Sequence, residues 1–458
     1  MIRRAGAIAA VTLTVLVVSG PAAGAITPPE VDPAAVPPSG SAGPVQPMAQ
    51  RGECVVSGVI PGGVPGAASP NQLSLNLSEA WQHSMGEGQL VAVIDTGVKP
   101  GPRLPDVEPG GDFVEATDGL TDCDGHGTLV AGLIAGQPGG DGFSGVAPDA
   151  RIVSIRQTSA RFAPRNPGED PVAAQAVIDV ATLARAVVRA TDLGARIINI
   201  SAATCIPANK NIDQSQLGAA LRYAAVDKDV VIVAAAGDAR GGGGNGSACE
   251  SNPLSDPARP SDPRNWSSVT SVSIPSWWQP YVLSVGSLTP GGQPSRFTMA
   301  GPWMGAAAPG ENITSVSNDA GGGLANGMPN NEQEFSPVSG TGYAAAYVSG
   351  VAALVRSRFP ELTAEQVVNR LTATARTAAR SPSNLVGAGT VDPVAALTWQ
   401  VPPEVDVDPA AVRQTAAPPT PAPEDPTPRV VAFAGMGVLA ALVLAALVVS
   451  AKRKDRTS

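Results

Sequence analysis

The sequence predicts an α/β domain: a parallel sheet with helices on both faces, held between an N-terminal extension and a C-terminal transmembrane helix. Three observations lead there. Short apolar runs rich in Val, Ile and Ala end in polar residues. Longer runs of helical period alternate with them. An uncharged apolar stretch near the C-terminus is followed at once by a basic tail.

The strands come in order. "GQLVAVIDTGV" (residues 88–98) is an apolar run that stops on Asp95 and a glycine turn. "ARIVSIRQ" (150–157), "ARIINISAA" (195–203), "VVIVAAAGD" (230–238) and "YVLSVGSL" (281–288) repeat the pattern. Between them, residues 171–194 have helical period and end on a glycine, and residues 214–229 read as a second helix. Runs apolar on both faces require covering on both faces, hence the parallel sheet. Ligands in such sheets bind beyond the carboxyl ends of the strands. Asp95, Ser201 and Asp238 lie at those ends.

Both termini carry membrane signals. "MIRRAGAIAAVTLTVLVVSGPAAGA" has two arginines, an apolar run and a small-residue end, the layout of a signal peptide cleaved after Ala25. Residues 430–451 are uncharged and, at ~1.5 Å per residue, span ~33 Å as a helix. "KRKDR" follows, which keeps the tail cytoplasmic and everything before Val430 outside. The expected order is a signal peptide (1–25), an extension (26–72), the α/β domain (73–400), a proline-rich linker (401–429), a single-pass membrane helix (430–451) and a short tail (452–458).

The net charge is −9, with no long basic run outside the two ends, which excludes nucleic acid as a partner. Cys54, Cys123, Cys205 and Cys249 meet an oxidising compartment, so two disulfides are expected, with three pairings open. No Cys-x-x-Cys spacing points to a metal, and no cofactor is expected.

Histidine is scarce. His83, in "SEAWQHSMGEG", lies at the polar end of a helix and reads as a surface residue. His126, in "DCDGHGTLVAGLIAG", has glycines on both sides and an apolar helical pattern after it, a setting that suits a general base. Asp95 after its strand suits the carboxylate that holds such an imidazole.

With those residues in hand a resemblance can be stated. "VAVIDTGV", "DGHGTLVAGLIAG" and "SGTGYAAAYVSGVAALV", in that order, resemble the three catalytic blocks of the subtilisin superfamily. The likeness runs from about residue 73 to residue 397. More narrowly, "AITPPEVDP", "GPW", "AAPGE", the cysteine positions and the membrane anchor resemble the mycosins, membrane-anchored subtilases of bacterial type VII secretion. The resemblance implies a serine endopeptidase with Asp95 orienting, His126 as general base and residue 342 as nucleophile. It implies a cleft walled by Ser201, Ala202 and Ala203 and by Ala234, Ala235, Ala236 and Gly237, with residue 238 at the oxyanion. It pairs Cys54 with Cys123 and Cys205 with Cys249. It implies secreted protein substrates, a secretion membrane complex as partner, an extracytoplasmic domain, and an extension that wraps the domain rather than inhibiting it.

Two positions depart from the family pattern. Gly342 stands where the nucleophilic serine is expected, and glycine has no oxygen to attack a carbonyl. Ser339 and Thr341 are near, but their positions in the turn point them elsewhere. Asp238 stands where an asparagine donates to the oxyanion, and an ionised carboxylate only accepts. Residues 241–280 read as a long structureless insertion, with Trp266, Trp277 and Trp278 as packing aromatics. Residues 319–334 read as a mobile loop open to proteolysis.

Overall fold

In the computed structural model, seven strands lie side by side, all parallel. They are β1 (Leu90–Asp95), β2 (Val107–Asp112), β3 (Arg151–Arg156), β4 (Ile197–Ile200), β5 (Val231–Ala235), β6 (Val282–Leu288) and β7 (Met304–Pro309). Their order across the sheet is β7-β6-β5-β4-β1-β3-β2. The structure describes residues 26–402 apart from 167, 240–248, 257, 331, 333 and 377–381. The expected signal peptide, the membrane helix, the tail and the linker from residue 403 lie outside the described residues.

Strand alternation explains the two layers. Val91 and Val93 of β1 face one core with α1 (His126–Ala135) and α4 (Thr341–Arg358). Leu90, Ala92 and Ile94 face the other, with α2 (Pro171–Asp192) and α3 (Ser215–Arg222). The α2 helix begins where Asp170 accepts from the Ala173 amide and Pro171 takes the first turn. Helix α4 is apolar nearly all round because it crosses the middle of the sheet, and Ser349 on it donates to Asn199 of β4 at 2.8 Å. The chain builds β2 and β3 to one side of β1, then β4 to β7 to the other. The crevice beyond β1 and β4 is therefore a topological switch point.

All five expected strands are present, each shorter than its expected range. Two edge strands, β2 and β7, were not anticipated. "VEPGGD" carries a proline and two glycines, and "MGAAAP" is half alanine with a glycine and a proline, so neither shows the β-branched run of a central strand. The insertion 241–280 is not structureless: Ser271–Ile274 pairs antiparallel with Thr204–Pro207. Nor is 319–334 one long loop. Leu324–Ala325 pairs with Ser315–Val316, and Gly327–Pro329 pairs with Phe335–Pro337. Strands of two to four residues leave too short an alternation to read. Both Trp277 and Trp278 donate to Gln214 Oε1 at 2.9 Å, and Trp266 packs 5.9 Å from Trp303, so the three aromatics pack the insertion down.

The extension wraps the domain. The Gly43 amide donates to the Asp112 carbonyl, and Arg185 of α2 holds the Ser41 and Gly43 carbonyls. Met48–Gln50 pairs antiparallel with Phe162–Pro164. The Ser57 amide donates to Asn318 Oδ1, and Gly58 bridges Gly327. A division at residue 72 would fall inside the helix Pro70–Leu75, whose Asn71 and Gln72 are buried and whose cap is Ser69. The bridges join Cys54 to Cys123 and Cys205 to Cys249. Peptide mapping without reductant should recover those two pairs, and a Cys123–Cys205 crosslink would contradict them. Replacing Cys54 and Cys123 by serine should cost about 2–4 kcal/mol of unfolding free energy, read from denaturant midpoints.

Arg156, the last residue of β3, has no solvent exposure. Its Nη1 contacts Asp112 at 3.1 Å and Glu115 at 2.9 Å, and its guanidinium lies 4.7 Å from the Phe162 ring centroid. Asp112 is equally buried and accepts from the Val114 and Glu115 amides and from Thr117 Oγ1.

Candidate active site

Asp95 ends β1 and His126 begins α1, and the sheet brings them together beyond its carboxyl edge. His126 Nδ1 lies 2.8 Å from Asp95 Oδ1, which also accepts from the Thr96 amide at 2.7 Å. Asp95 Oδ2 is buried with no hydrogen-bond partner among the described residues. Glycine is required at two points here. Gly97 has φ +98°, and a Cβ on Gly127 would lie 2.0 Å from the Gly97 carbonyl oxygen. The close approach of these two backbones sets the Asp–His distance.

Beneath the histidine, Asp122 organises the turn into α1. It accepts from Thr96 Oγ1 (2.8 Å), Thr128 Oγ1 (2.7 Å) and the amides of Gly125 (2.8 Å) and Thr128 (2.9 Å). The His126 ring rests on Tyr343, centroids 4.8 Å apart. Gly342, on the first turn of α4, faces the imidazole: a Cβ there would sit 3.2 Å from His126 Cε1, 3.0 Å from Ser201 Cβ and 2.9 Å from the Ser201 carbonyl oxygen. The three expected positions thus converge, and the missing atom is the hydroxyl oxygen. Ser339 Oγ accepts from the Asn312 amide and Thr341 Oγ1 bonds Asp238, so neither takes its place.

A cleft of about 350 Å³ opens over this group. Its lining includes Asp95, Asp124, His126, Ala202, Asp238 and Gly342, together with the hairpin residues Met328–Asn330 and Ser336–Val338. No residue of the described extension lines it.

Residues 86–389 match the model of the subtilase family. Mycosin-3 of Mycobacterium tuberculosis (strain ATCC 25618 / H37Rv) is 63% identical over 460 aligned residues, covering 100% of both chains. The chain belongs to the mycosins, serine proteases of the subtilase family. The fold is also similar to that of MycP3 protease from the type VII (ESX-3) secretion system, with TM-score 0.79 and 70% identity over 82% of this chain and 100% of that one. A chain of an intact ESX-5 inner membrane complex is similar with TM-score 0.80 and 47% identity, over 93% of this chain and 100% of that one.

Within this mycosin site several expectations need correction. Ala234, Ala235 and Ala236 are at most 1% exposed and do not reach the cleft. They lie in or directly after β5, the third strand in from one edge, where Ala234 pairs with Ile200 and Ser284 and the Ala236 amide donates to Val285. Gly237 is buried too, its amide donating to Thr341 Oγ1 and its carbonyl accepting from Met299. A central strand has its backbone groups already paired, so it offers no free edge. Ser201 supplies its carbonyl next to Gly342, Ala202 lines the cleft, and Ala203 is half-buried beside it without lining it. Part of the hairpin 327–337 also lines the cleft, and its prolines and asparagines read in sequence as turn.

Asp238 does not sit as a free oxyanion residue. Its Oδ1 accepts from the Thr341 amide at 3.0 Å and from Thr341 Oγ1 at 2.8 Å. The N-cap of α4 is Gly340, which has no side chain to cap with, and Asp238, in the loop after β5, does this instead. Burial raises the Asp238 carboxyl above the usual range, partly opposed by the Thr341 bonds and His126. Sequence reasoning also passed over Thr96, Asp122 and Tyr343. Their only signal was adjacency: one residue after Asp95, four before His126, one after Gly342.

Burial raises Asp122 from 3.8 to about 6, and Asp179 of α2 likewise to about 6. For His126, burial disfavours the imidazolium, but Asp95, with Asp122 and Asp238, outweighs it and raises the pKa above 6.5. The signs agree. A raised carboxyl keeps its proton in the folded state, so stability falls as pH rises from 3.8 to about 6. A raised imidazole adds stability below 6.5 that is lost as pH passes its folded value. Thermal melts should therefore give a higher midpoint near about pH 5 than near about pH 7.5, and Asp122→Asn should narrow the gap. Equal midpoints would remove this account.

Proposed function

We propose that this chain serves a type VII secretion membrane complex as a subtilase that binds extended polypeptide and does not cleave it. Asp95 and His126 take the orienting and general-base positions, Gly342 the nucleophile position, and Ser201 and Ala202 the cleft edge against which a substrate strand pairs. The lineage is that of endopeptidases, and secreted proteins are the substrates the cleft would receive. The observation that carries the reading is Gly342 within an otherwise complete Asp–His site. Placement in the complex is supported by likeness, over almost the whole chain, to a component of an ESX-5 inner membrane complex. The signal-like N-terminus, the apolar run 430–451 with its basic tail, and two disulfides support a single-pass anchor in the bacterial cell membrane with the domain on the periplasmic side.

Tagged at the C-terminus and extracted in mild detergent, the chain should co-sediment with the other membrane components of the secretion system. In cells lacking their own copy, it should restore assembly of the complex without restoring substrate cleavage. A chain that sediments alone, or one that restores cleavage as it stands, overturns the proposal.

A further inference from the structure

We propose that Asp238 works in two protonation states: ionised, it caps Thr341 and fixes the turn into α4; protonated, it donates Oδ2–H to the oxyanion, so a serine-bearing form of this site turns over only through the carboxylic acid. The proposal rests on reading the site as a subtilase active centre. Oδ1 takes both bonds from Thr341. Oδ2 has no hydrogen-bond partner among the described residues, lies against Gly340 (3.1 Å from a Cβ placed there), and belongs to a side chain that lines the cleft with Gly342. The amide of residue 342 is one of the unpaired donors at a helix start. With Asp238 charged it is the only donor this pair of residues offers, because a carboxylate accepts only. With Asp238 protonated there are two, as in the acid-form oxyanion holes known elsewhere.

The step balances without a co-reactant. In Gly342→Ser, the serine oxygen forms a bond to the carbonyl carbon and its proton passes to the free nitrogen of His126. The carbonyl π pair moves onto oxygen, and Asp238 lends a hydrogen bond while keeping its own proton. The charged and titratable groups facing Asp238 are His126 from α1 and Tyr343 from α4. The turn that bridges Asp238 through Thr298 adds only the exposed Arg296. Arg240 lies outside the described residues. Turnover then needs a neutral His126 and a protonated Asp238 together. The fraction in that form drops about tenfold per pH unit above the higher of the two pKa values.

The test compares Gly342→Ser with Gly342→Ser/Asp238→Asn, by the rate of labelling with a fluorophosphonate from about pH 4 to about pH 10. The single variant should lose about tenfold per unit on the alkaline side, and the double variant should hold a plateau there, at least ~10²-fold higher near about pH 8. The same alkaline fall in both, or none in the single variant, overturns the proposal alone. No labelling of either at any pH overturns the active-centre reading beneath it. A readout free of the nucleophile comes from the unmodified chain. Asp238→Asn should lower the His126 midpoint in an NMR titration, with His83 as internal reference. An unmoved His126 would contradict a charged Asp238 in the ground state.

Discussion

Gly342→Ser converts a chain that cannot be acylated into one that a fluorophosphonate labels at residue 342. The general base is already in place: the His126 ring is held by Asp95 at 2.8 Å and packs at a tilt against Tyr343, within 3.2 Å of where the new Cβ would lie. In a subtilisin, losing the nucleophile costs about 2 × 10⁶ in turnover, and losing the oxyanion side chain about 10²–10³. Restoring the first while Asp238 still lacks an amide leaves a gain of roughly 10⁴. The new Cβ also meets the Ser201 carbonyl oxygen at 2.9 Å, so the backbone there must shift to admit it. Labelling should vanish when His126→Ala is added. Robust labelling of the unmodified chain at some other serine would sink the assignment of residue 342.

Arg156→Ala should be the most destabilising single change away from the site, about 3–5 kcal/mol. The loss does not come from the pair's own attraction, which desolvation largely offsets. It comes from Asp112, fully buried, left with its amide and hydroxyl donors but no cation. Asp112 ends edge strand β2 and its carbonyl receives the extension at Gly43, so the change should also loosen that wrapping. Denaturant melts measure the first effect and proteolysis of the extension the second. Adding Asp112→Asn should recover part of the stability. If Arg156→Ala costs under about 1 kcal/mol, the pair is not the keystone described here.

Much of the fold was legible because the buried strands are continuous apolar runs. The residues of β1, β4 and β5 can occupy few environments other than the centre of a covered sheet. The edge strands were not legible: β2 and β7 gain stability from one neighbour and carry Gly, Pro and Ala that read as turn. The hairpin 327–337 was not legible either, because its Gly, Pro and Asn read as turn, and with it that part of the cleft lining. His126 and Asp95 stood out because their flanking glycines mark close backbone approach. Thr96 and Asp122, which hold them, look in sequence like any polar residues of a turn.

By itself the sequence determined the parallel sheet, the order Asp95, His126, residue 342, the absence of a hydroxyl at that last position, and an even set of cysteines. These depend on composition and local pattern, which the chain carries wherever it folds. Only the tertiary structure decided that Ala234–Gly237 are interior rather than cleft, and that a hairpin from another part of the chain lines the cleft. It also decided that Asp238 caps α4 through Thr341. Each of these depends on which backbone groups are already paired and which side chain meets an unpaired helix end across 103 residues of sequence. No local pattern encodes that.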